Sequence, residues 1–336
     1  MTPREKVLSI LERRNPDGPG YWTGNPHEDT YRIYLERIGG TRKEDLFQFL
    51  GDDCRWIPAD PGYKHPKGAP IFDPYGGAPR QSLNQPGCFA QCESVAEVES
   101  YPWPDPGFLD FTDVIAEIDA HPGMAVLTGM WSPFFHHVAD FFGMDNYFIK
   151  MYTHPAVVEA VTERVVDFFV EANDRLFTVL GAKADTFFFG NDFGTQRDLI
   201  LSPEAFRRFL LPSMKRLIDG ARRFGKKVIL HSCGSIARVI PTLIDAGIDG
   251  LHPLQAMAFS MDAEYLACNF RDHLAFVGGV DTQDLLIRMT PAEIKGEVRR
   301  LRRLFGSNYI VSPSHEAILP NVPFENIIAM AEAAGE

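Results

Sequence analysis

The chain has 336 residues, of which 45% are hydrophobic and 23% charged, so it is too apolar for a disordered protein and long enough for one large domain or two modest ones. Its 33 basic and 45 acidic residues leave a formal net charge of −12, which argues against nucleic acid or an anionic membrane surface as the main partner. The N-terminus is charged rather than apolar, no apolar run reaches the roughly 20 residues of a membrane span, and the five cysteines are scattered; we therefore expect no signal peptide, no membrane span, reduced thiols and a cytoplasmic location.

The first 120 residues predict an irregular region. Residues 3–14 have the pattern of a short helix, and GYWTG at 20–24 is a candidate first strand. The stretch at 54–81 is rich in proline and glycine, which predicts an ordered excursion rather than a regular element. We therefore treat residues 1–120 as an N-terminal elaboration that includes the first strand.

The rest of the chain, 121–336, predicts regular β/α units. Short apolar runs predict strands at 124–130, 184–190, 227–232, 248–253, 274–279 and 308–313. Helical patterns lie between them at 155–180, 202–224, 235–247 and 291–306. This alternation favours a parallel sheet with crossover helices, and together with the first strand and one further strand it predicts a single α/β domain over 1–336, a (β/α)8 TIM barrel. No Gly-x-Gly-x-x-Gly follows an early strand, which leaves a dinucleotide-binding fold unsupported.

Side chains at the C-terminal ends of the strands are the candidate site residues, because TIM barrels carry their active sites there. His231 and Cys233 end the strand KVIL, and strand residues two positions apart point to the same side. They can therefore hold one ion as an imidazole and a thiolate, a pair that suits zinc. The alternative is a buried histidine beside an inert core cysteine.

Two further strand ends offer additional ligands. His315, in the loop after the last predicted strand, is the candidate third ligand; alternatively, it caps or hydrogen-bonds its own proline-rich loop. Asp192 follows a buried run of three phenylalanines. Its carboxylate is a candidate fourth ligand, a general acid or base, or the N-cap of a short turn.

Several segments, in this order, resemble the uroporphyrinogen decarboxylase superfamily: YPWPDP, FGNDFGTQ, LSPEAFRRFLLP, HSCGSI, AGIDGLHPLQ, GGVDTQ and SPSHEAILPNVPFENI. The resemblance runs from about residue 94 to the C-terminus and implies a (β/α)8 barrel. The superfamily contains a cofactor-free decarboxylase branch and a branch of zinc-dependent methyltransferases that work with corrinoid proteins. The decarboxylases typically carry an arginine-rich segment after the first strand, where this chain reads TGNPHEDTYR with only Arg32. The methyltransferase branch is therefore the closer match.

That branch typically carries a His-x-Cys zinc pair and a later cysteine in a Pro-Gly-Cys turn. His231 and Cys233 match the pair, and the later turn reads PSH at 313–315. The resemblance thus implies Zn²⁺ held by His231, Cys233 and His315, with a histidine in place of the second thiolate. Zinc with one thiolate keeps a net charge of +1 instead of zero, which makes the metal more electrophilic unless Asp192 or Glu316 also binds it.

We therefore predict a zinc-dependent methyltransferase that moves a methyl group between a small methylated substrate, such as a methoxylated aromatic compound, and a corrinoid (cobalamin) on a partner protein. Asp192 is expected to orient or protonate the leaving heteroatom with the help of His252 or Gln255. The predicted apolar wall for the substrate consists of Trp131, Phe134 and Phe189.

Two alternatives remain open at this stage. One is a metal-independent decarboxylase acting on a small or porphyrin-like carboxylate, for which the visible cations are Arg32, Arg55 and Lys64. The other is a barrel that binds a ligand or a corrinoid without turnover. A homodimer is compatible with each of these functions.

Overall fold

A computed structural model of the chain describes residues 1–14 and 18–336. Its strands are β1 Gly20–Tyr21, β2 Cys54–Pro58, β3 Ala125–Gly129, β4 Thr186–Gly190, β5 Lys227–His231, β6 Gly250–His252, β7 Ala275–Val280 and β8 Tyr309–Pro313. Within these residues they form one parallel sheet of eight strands in the order β1-β8-β7-β6-β5-β4-β3-β2. The predicted (β/α)8 TIM barrel is confirmed.

The α-helices lie around this sheet, except for α1, which precedes β1 and closes one end of the barrel. They are α1 Pro3–Leu11, α2 Glu28–Ile38, α3 Lys43–Leu50, α4 Val95–Glu99, α5 Thr112–Asp119, α6 Phe134–Phe142, α7 Met144–Thr153, α8 Pro155–Leu180, α9 Pro203–Ala205, α10 Leu211–Arg223, α11 Ile240–Ala246, α12 Ala263–Phe270, α13 Leu285–Arg288, α14 Pro291–Phe305 and α15 Phe324–Gly335. None of the helices in the described part of the chain is long and apolar enough to cross a membrane.

The stretch predicted as an irregular excursion begins with a strand, so that prediction is wrong for residues 54–58. β2 pairs with β3 along its whole length, from Cys54 opposite Ala125 to Pro58 opposite Gly129. Its five residues, CRWIP, include an arginine and end in a proline. These two residues are untypical of a buried strand, so the sequence pattern does not indicate one here. Arg55 is accommodated because its guanidinium binds the Glu44 carboxylate at 2.7 Å on the helix side of the sheet.

The helix predicted at 202–224 is divided by a π-helical segment at Phe206–Leu210, between α9 and α10. Pro212 has no N–H to donate, so the regular i to i−4 ladder cannot continue through it, and the wider π turn lies immediately before it. Phe206 in this segment packs on Phe193 with ring centroids 5.0 Å apart. The segment thus supports the loop that follows β4.

The barrel is closed between its two edge strands by main-chain and carboxylate contacts. The Asp53 N–H donates to the Tyr21 carbonyl at 2.8 Å. In return, the carboxylates of Asp53 and Asp52 accept the N–H groups of Tyr21 and Thr23, each at 2.9 Å. These contacts replace the strand pairing that β1 and β2 lack among the described residues.

The lower interior of the barrel is apolar and is plugged by α1. Ile10 and Leu11 are fully buried among residues of the strands, including Leu127, Ile229 and Ile310. Above this layer lie aromatic side chains, and the polar groups of the interior are concentrated higher still, at the C-terminal ends of the strands. The C-terminal end of the barrel is therefore the end whose polar side chains can bind a ligand or take part in a reaction.

Gly278 in β7 offers a direct test of this packing. It has φ +122°, and a Cβ atom there would lie 1.8 Å from the Pro253 carbonyl oxygen. Gly278→Ala is expected to lower the free energy of unfolding by about 3 kcal/mol, measured by urea denaturation. The matched control is Gly296→Ala in α14, where a Cβ meets nothing within 4 Å and stability should rise by up to about 1 kcal/mol. Equal stability of the two variants would contradict the packing described.

Candidate active site at the mouth of the barrel

Strand register brings the predicted histidines together. Gly190 of β4 lies opposite His231 of β5, and His231 lies opposite His252 of β6. Opposed residues in neighbouring parallel strands point to the same side, so both imidazoles enter the barrel mouth. Their Nδ1 atoms are 2.9 Å apart, and both side chains are almost fully buried.

Cys233, His231 and Asp192 form the centre of the site. The Cys233 Sγ lies 3.4 Å from His231 Nε2, and Asp192 Oδ1 lies 3.5 Å from the same nitrogen. The Cys233 N–H also donates to Asp192 Oδ1 at 2.8 Å. One donor atom from each residue lies within 4.8 Å of the other two, the spacing expected of residues that hold one metal ion.

Two glycines allow this approach. A Cβ on Gly234, which has φ +83°, would lie 2.4 Å from backbone atoms of Gly194, so the loops after β4 and β5 pack main chain against main chain. Gln255 fixes the same turn, because its Oε1 accepts the Gly234 N–H at 2.8 Å. The loop geometry thus aims the Asp192 carboxylate at the Cys233 turn.

The surroundings of Cys233 and Asp192 favour the ionised forms of these side chains, a thiolate and a carboxylate. Burial would raise the pKa of the Cys233 thiol, but hydrogen bonds from His231 and His315 outweigh burial and lower it. Burial also acts to raise the pKa of Asp192, yet its contacts with His231 and the Cys233 N–H hold it at about 2. For His231, burial opposes protonation, and the hydrogen bonds with Asp192 and Cys233 prevail, so its pKa is raised well above the usual value.

His315 contacts both its own loop and the thiol. Its Nδ1 accepts the Ala317 N–H at 3.1 Å, which accounts for the loop-binding alternative. Its interaction with the Cys233 thiol is the main reason why the pKa of His315 is raised. With 46% of its side chain exposed, His315 lies on the solvent side of the site. The structure therefore places His315 beside Cys233, but outside the group of donor atoms that Asp192, His231 and Cys233 form within 4.8 Å.

His252 lies on the opposite edge of the His231 ring from Asp192. It faces His231 Nδ1, together with Glu316, whose Oε2 is 3.6 Å from that nitrogen. Burial and the nearby positive charge of His231 lower the pKa of His252 well below its usual value, so it is neutral at pH 7. Among the described residues, its Nε2 and the Glu316 Oε2 are buried without a hydrogen-bond partner.

Sequence reasoning did not assign a role to Glu316 beyond a further carboxylate ligand. Its position next to His315 was the available signal. Glu316, His231 and His252 form a second group of donors within 4.8 Å of one another. A carboxylate on the second nitrogen of a metal-binding imidazole is a common device that fixes the orientation of the ring.

Of the three residues predicted to form the aromatic wall, only Trp131 lies at the site. Trp131 lies at the mouth, with its ring centroid 5.2 Å from that of His231 and 5.3 Å from that of Phe188. Phe189 instead points outward and stacks on Phe187 at 4.5 Å, because neighbouring residues of a strand face opposite sides. Phe134 is fully buried in the outer core around the helices. The structure therefore does not bring Phe134 and Phe189 to the site.

The inward aromatic residues are Trp22, Trp56 and Phe188, which sequence reasoning did not select. Phe188 lies between them, with ring centroids 5.8 Å from Trp22 and 5.7 Å from Trp56. It also contacts the His252 ring at 5.3 Å. The floor of the site is therefore aromatic and adjoins the histidines directly.

Trp131 depends on Gly190 for its position. A Cβ on Gly190 would lie 2.1 Å from the Trp131 ring, and the Gly190 N–H donates to the Trp131 carbonyl at 3.0 Å. Gly190→Ala is expected to displace the indole, destabilise the fold by about 1–3 kcal/mol and change the near-UV circular dichroism. Gly220→Ala, where a Cβ would meet its nearest neighbour, an Asp174 carboxylate oxygen, at 3.7 Å, should leave the spectrum unchanged. An unaltered spectrum in Gly190→Ala would contradict the placement of Trp131.

The cations that a decarboxylase would need are engaged elsewhere. Arg32 is largely exposed and lies 3.5 Å from Asp29. Arg55 binds Glu44, and Lys64 donates to Asp113 at 2.6 Å. These contacts do not assemble the three side chains into a carboxylate-binding pocket.

Comparison with known proteins identifies the family. The family model described as uroporphyrinogen decarboxylase (URO-D) matches residues 91–336, well over half of the chain. The chain belongs to the uroporphyrinogen decarboxylase family. The match covers all the strands from β3 to β8 and every candidate metal ligand.

This URO-D family member is similar to proteins named as methyltransferases. It is 27% identical over 203 residues to a methylated-thiol–coenzyme M methyltransferase of Methanosarcina mazei, covering 60% of this chain and 49% of that protein. It is 24% identical over 137 residues to the methylcobamide:CoM methyltransferase MtaA of Methanosarcina barkeri, covering 41% of this chain and 38% of the relative. The chain thus spans about half or less of the length of these relatives.

A solved structure shows the same fold. A methyltransferase from Methanosarcina mazei superposes with a TM-score of 0.68 at 16% sequence identity, over 100% of this chain and 98% of that one. At this identity the likeness concerns the barrel itself. It extends over the N-terminal elaboration as well as the regular β/α units.

Proposed function

We propose that this URO-D family protein transfers a methyl group between a small methylated substrate and a corrinoid carried by a partner protein, with zinc at the barrel mouth. The observation that carries the proposal is the cluster of Asp192, His231 and Cys233, whose donor atoms lie within 4.8 Å of one another. The similarity to methyltransferases, one of them named for a methylcobamide, supports methyl transfer involving a corrinoid.

The donors fit zinc. Zinc in proteins prefers four ligands drawn from thiolate, imidazole and carboxylate, and His231, Cys233, His315 and Asp192 offer such a set. The lowered pKa of Cys233 favours the thiolate, which is the form that binds metal. When bound, the ion would supply a Lewis acid that draws electron density from the substrate heteroatom.

Each neighbouring residue has a role that its contacts suggest. Asp192, with a pKa of about 2, is a carboxylate at neutral pH, so we assign it to orienting the site or to ligation rather than to donating a proton. His252 and Glu316 orient the His231 ring from its Nδ1 side. Gln255 holds the turn at Gly234 and so positions the Cys233 main chain.

The aromatic floor favours an aryl substrate. Trp131 is partly exposed beside His231 and packs on the buried Phe188, which contacts His252, and flat rings pack well against such an aromatic surface. We therefore propose an aryl methyl ether as the methyl donor. The methyl carbon forms its new bond with the electron pair of Co(I), while the aryl oxygen keeps the pair of the broken C–O bond and leaves as a phenolate.

The test is a single-turnover reaction of the zinc-loaded protein with 2-methoxyphenol and cob(I)alamin. The proposal predicts the absorption spectrum of methylcobalamin together with one catechol for each methyl group transferred. Methyl thioethers and methylamines serve as parallel substrates and show whether the heteroatom is oxygen. Absence of methylcobalamin with every methyl donor, combined with release of carbon dioxide from a carboxylate, would contradict the proposal and favour a decarboxylase.

A further inference from the structure

A cavity of about 440 Å³ lies at the rim of the barrel beside His315. Its walls come from the loops that follow β6, β7 and β8. The polar part of the lining consists of neutral amides and hydroxyls: Gln255, Thr282, Gln283, Ser314 and Asn321. Of the residues that line it in the described chain, His315 is the one with a titratable side chain.

The amide groups of this rim cavity are available for a ligand. In the described residues, the side chains of Gln283 and Asn321 make no hydrogen bond, and both are exposed. Gln255 uses its Oε1 on the Gly234 N–H at 2.8 Å, which leaves its NH2 group. The hydroxyls of Thr282 and Ser314 are 3.4 Å apart and can rotate toward a third partner. The cavity therefore offers several neutral donors and acceptors at once.

Large apolar side chains stand exposed on the same rim. Met257 is 60% exposed, Phe259 70% and Leu319 51%. The Phe259 main chain is tethered, since its N–H donates to the Gln196 carbonyl at 3.0 Å and its carbonyl accepts the Ser235 hydroxyl at 2.7 Å. A tethered loop that displays an exposed phenylalanine suits a broad, flat, apolar partner surface.

We propose that the rim cavity binds the carboxamide side chains at the edge of a corrin ring, while the exposed apolar side chains contact the face of the ring. This inference rests on the proposed function, which brings a corrinoid to the barrel mouth. A corrin carries neutral primary amides around its periphery, and each has both a donor and an acceptor that amide and hydroxyl groups can match. Carboxylate, sulfonate or phosphate groups would instead call for a lysine or an arginine in the lining.

The inference is tested by equilibrium dialysis of the full chain with aquacobinamide, which keeps the corrin ring and its amides but has no nucleotide. Wild-type protein is expected to bind it saturably. Gln283→Leu and Asn321→Leu should each weaken binding about five-fold, the effect of one lost hydrogen bond, and the double variant more strongly. Gln91→Leu, an exposed change in the segment before α4 and outside the cavity, is the matched control and should bind as wild type does. Zinc content, measured on each sample, should stay constant.

Three results would overturn this assignment. One is a dissociation constant for aquacobinamide that is unchanged in both leucine variants. Another is wild-type protein that shows no saturable binding. The third is a raised KM for the small methyl donor in these variants with unaltered cobinamide binding, which would make the cavity a substrate pocket. Failure of the proposed function has a different signature: cobinamide binds and depends on Gln283 and Asn321, but no methyl group is transferred.

Discussion

Replacing Cys233 with alanine is expected to remove bound zinc and to lower methyl transfer on the order of a thousandfold, the scale seen when a group that stabilises charge in the transition state is lost. Among the cysteines of the described residues, Cys233 is the one whose thiol pKa is lowered, through its interactions with His231 and His315. Without this thiolate, the remaining imidazoles and carboxylate form a weaker zinc site. The measurement is zinc per chain by emission spectroscopy, beside methylcobalamin formation on the same samples.

The matched control for this change is Cys268→Ala on α12. Cys268 is an exposed free thiol, remote from the donor cluster. Its variant should keep full zinc content and activity. If Cys233→Ala retained zinc at the level of the control, the thiolate would not be a ligand and the proposed site would be wrong.

His315→Ala is expected to weaken zinc binding by at least roughly ten- to a hundredfold, because the ion loses a nitrogen ligand and the thiol loses a hydrogen-bond donor. His315→Cys should keep about one zinc per chain, because a thiolate replaces the imidazole. That variant lowers the charge of the site by one and should slow the attack on an ether methyl group. Zinc affinity is measured by competition with a chelator.

His273→Ala is the control for the His315 variants, because His273 is exposed in the turn after α12. Equal zinc affinity of His315→Ala and His273→Ala would leave His315 in the loop-binding role that its contact with Ala317 supports. A large loss in both would indicate general destabilisation. The pair of variants therefore separates ligation from folding.

Much of the fold could be predicted from the sequence because each β/α unit after residue 120 has its own period of apolar residues. The exception was β2, where Arg55 and Pro58 interrupt a run of five residues and the stabilising partner, Glu44, is distant in the chain. A short strand of this kind is defined by pairing with β3 rather than by its own composition. The local sequence pattern does not show which segment a strand pairs with.

Those parts of the candidate site that depend on spacing along one strand, or on position at a strand end, could be predicted from the sequence. His231 and Cys233 share a face because they are two positions apart, and His315 lies at the end of the last strand. Which of Phe188 and Phe189 points into the barrel depends on the register of β4 against β5, which places Gly190 opposite His231. The contact of His252 with His231 depends on the register of β6 in the same way.

Methyl transfer is proposed to depend on zinc at the barrel mouth, and removal and return of the metal in wild-type protein tests this dependence most directly. The purified protein should hold about one zinc per chain. Dialysis against a chelator should abolish methylcobalamin formation, and one equivalent of zinc should restore it. Metal-free wild-type protein that transfers methyl groups at the original rate would contradict the account.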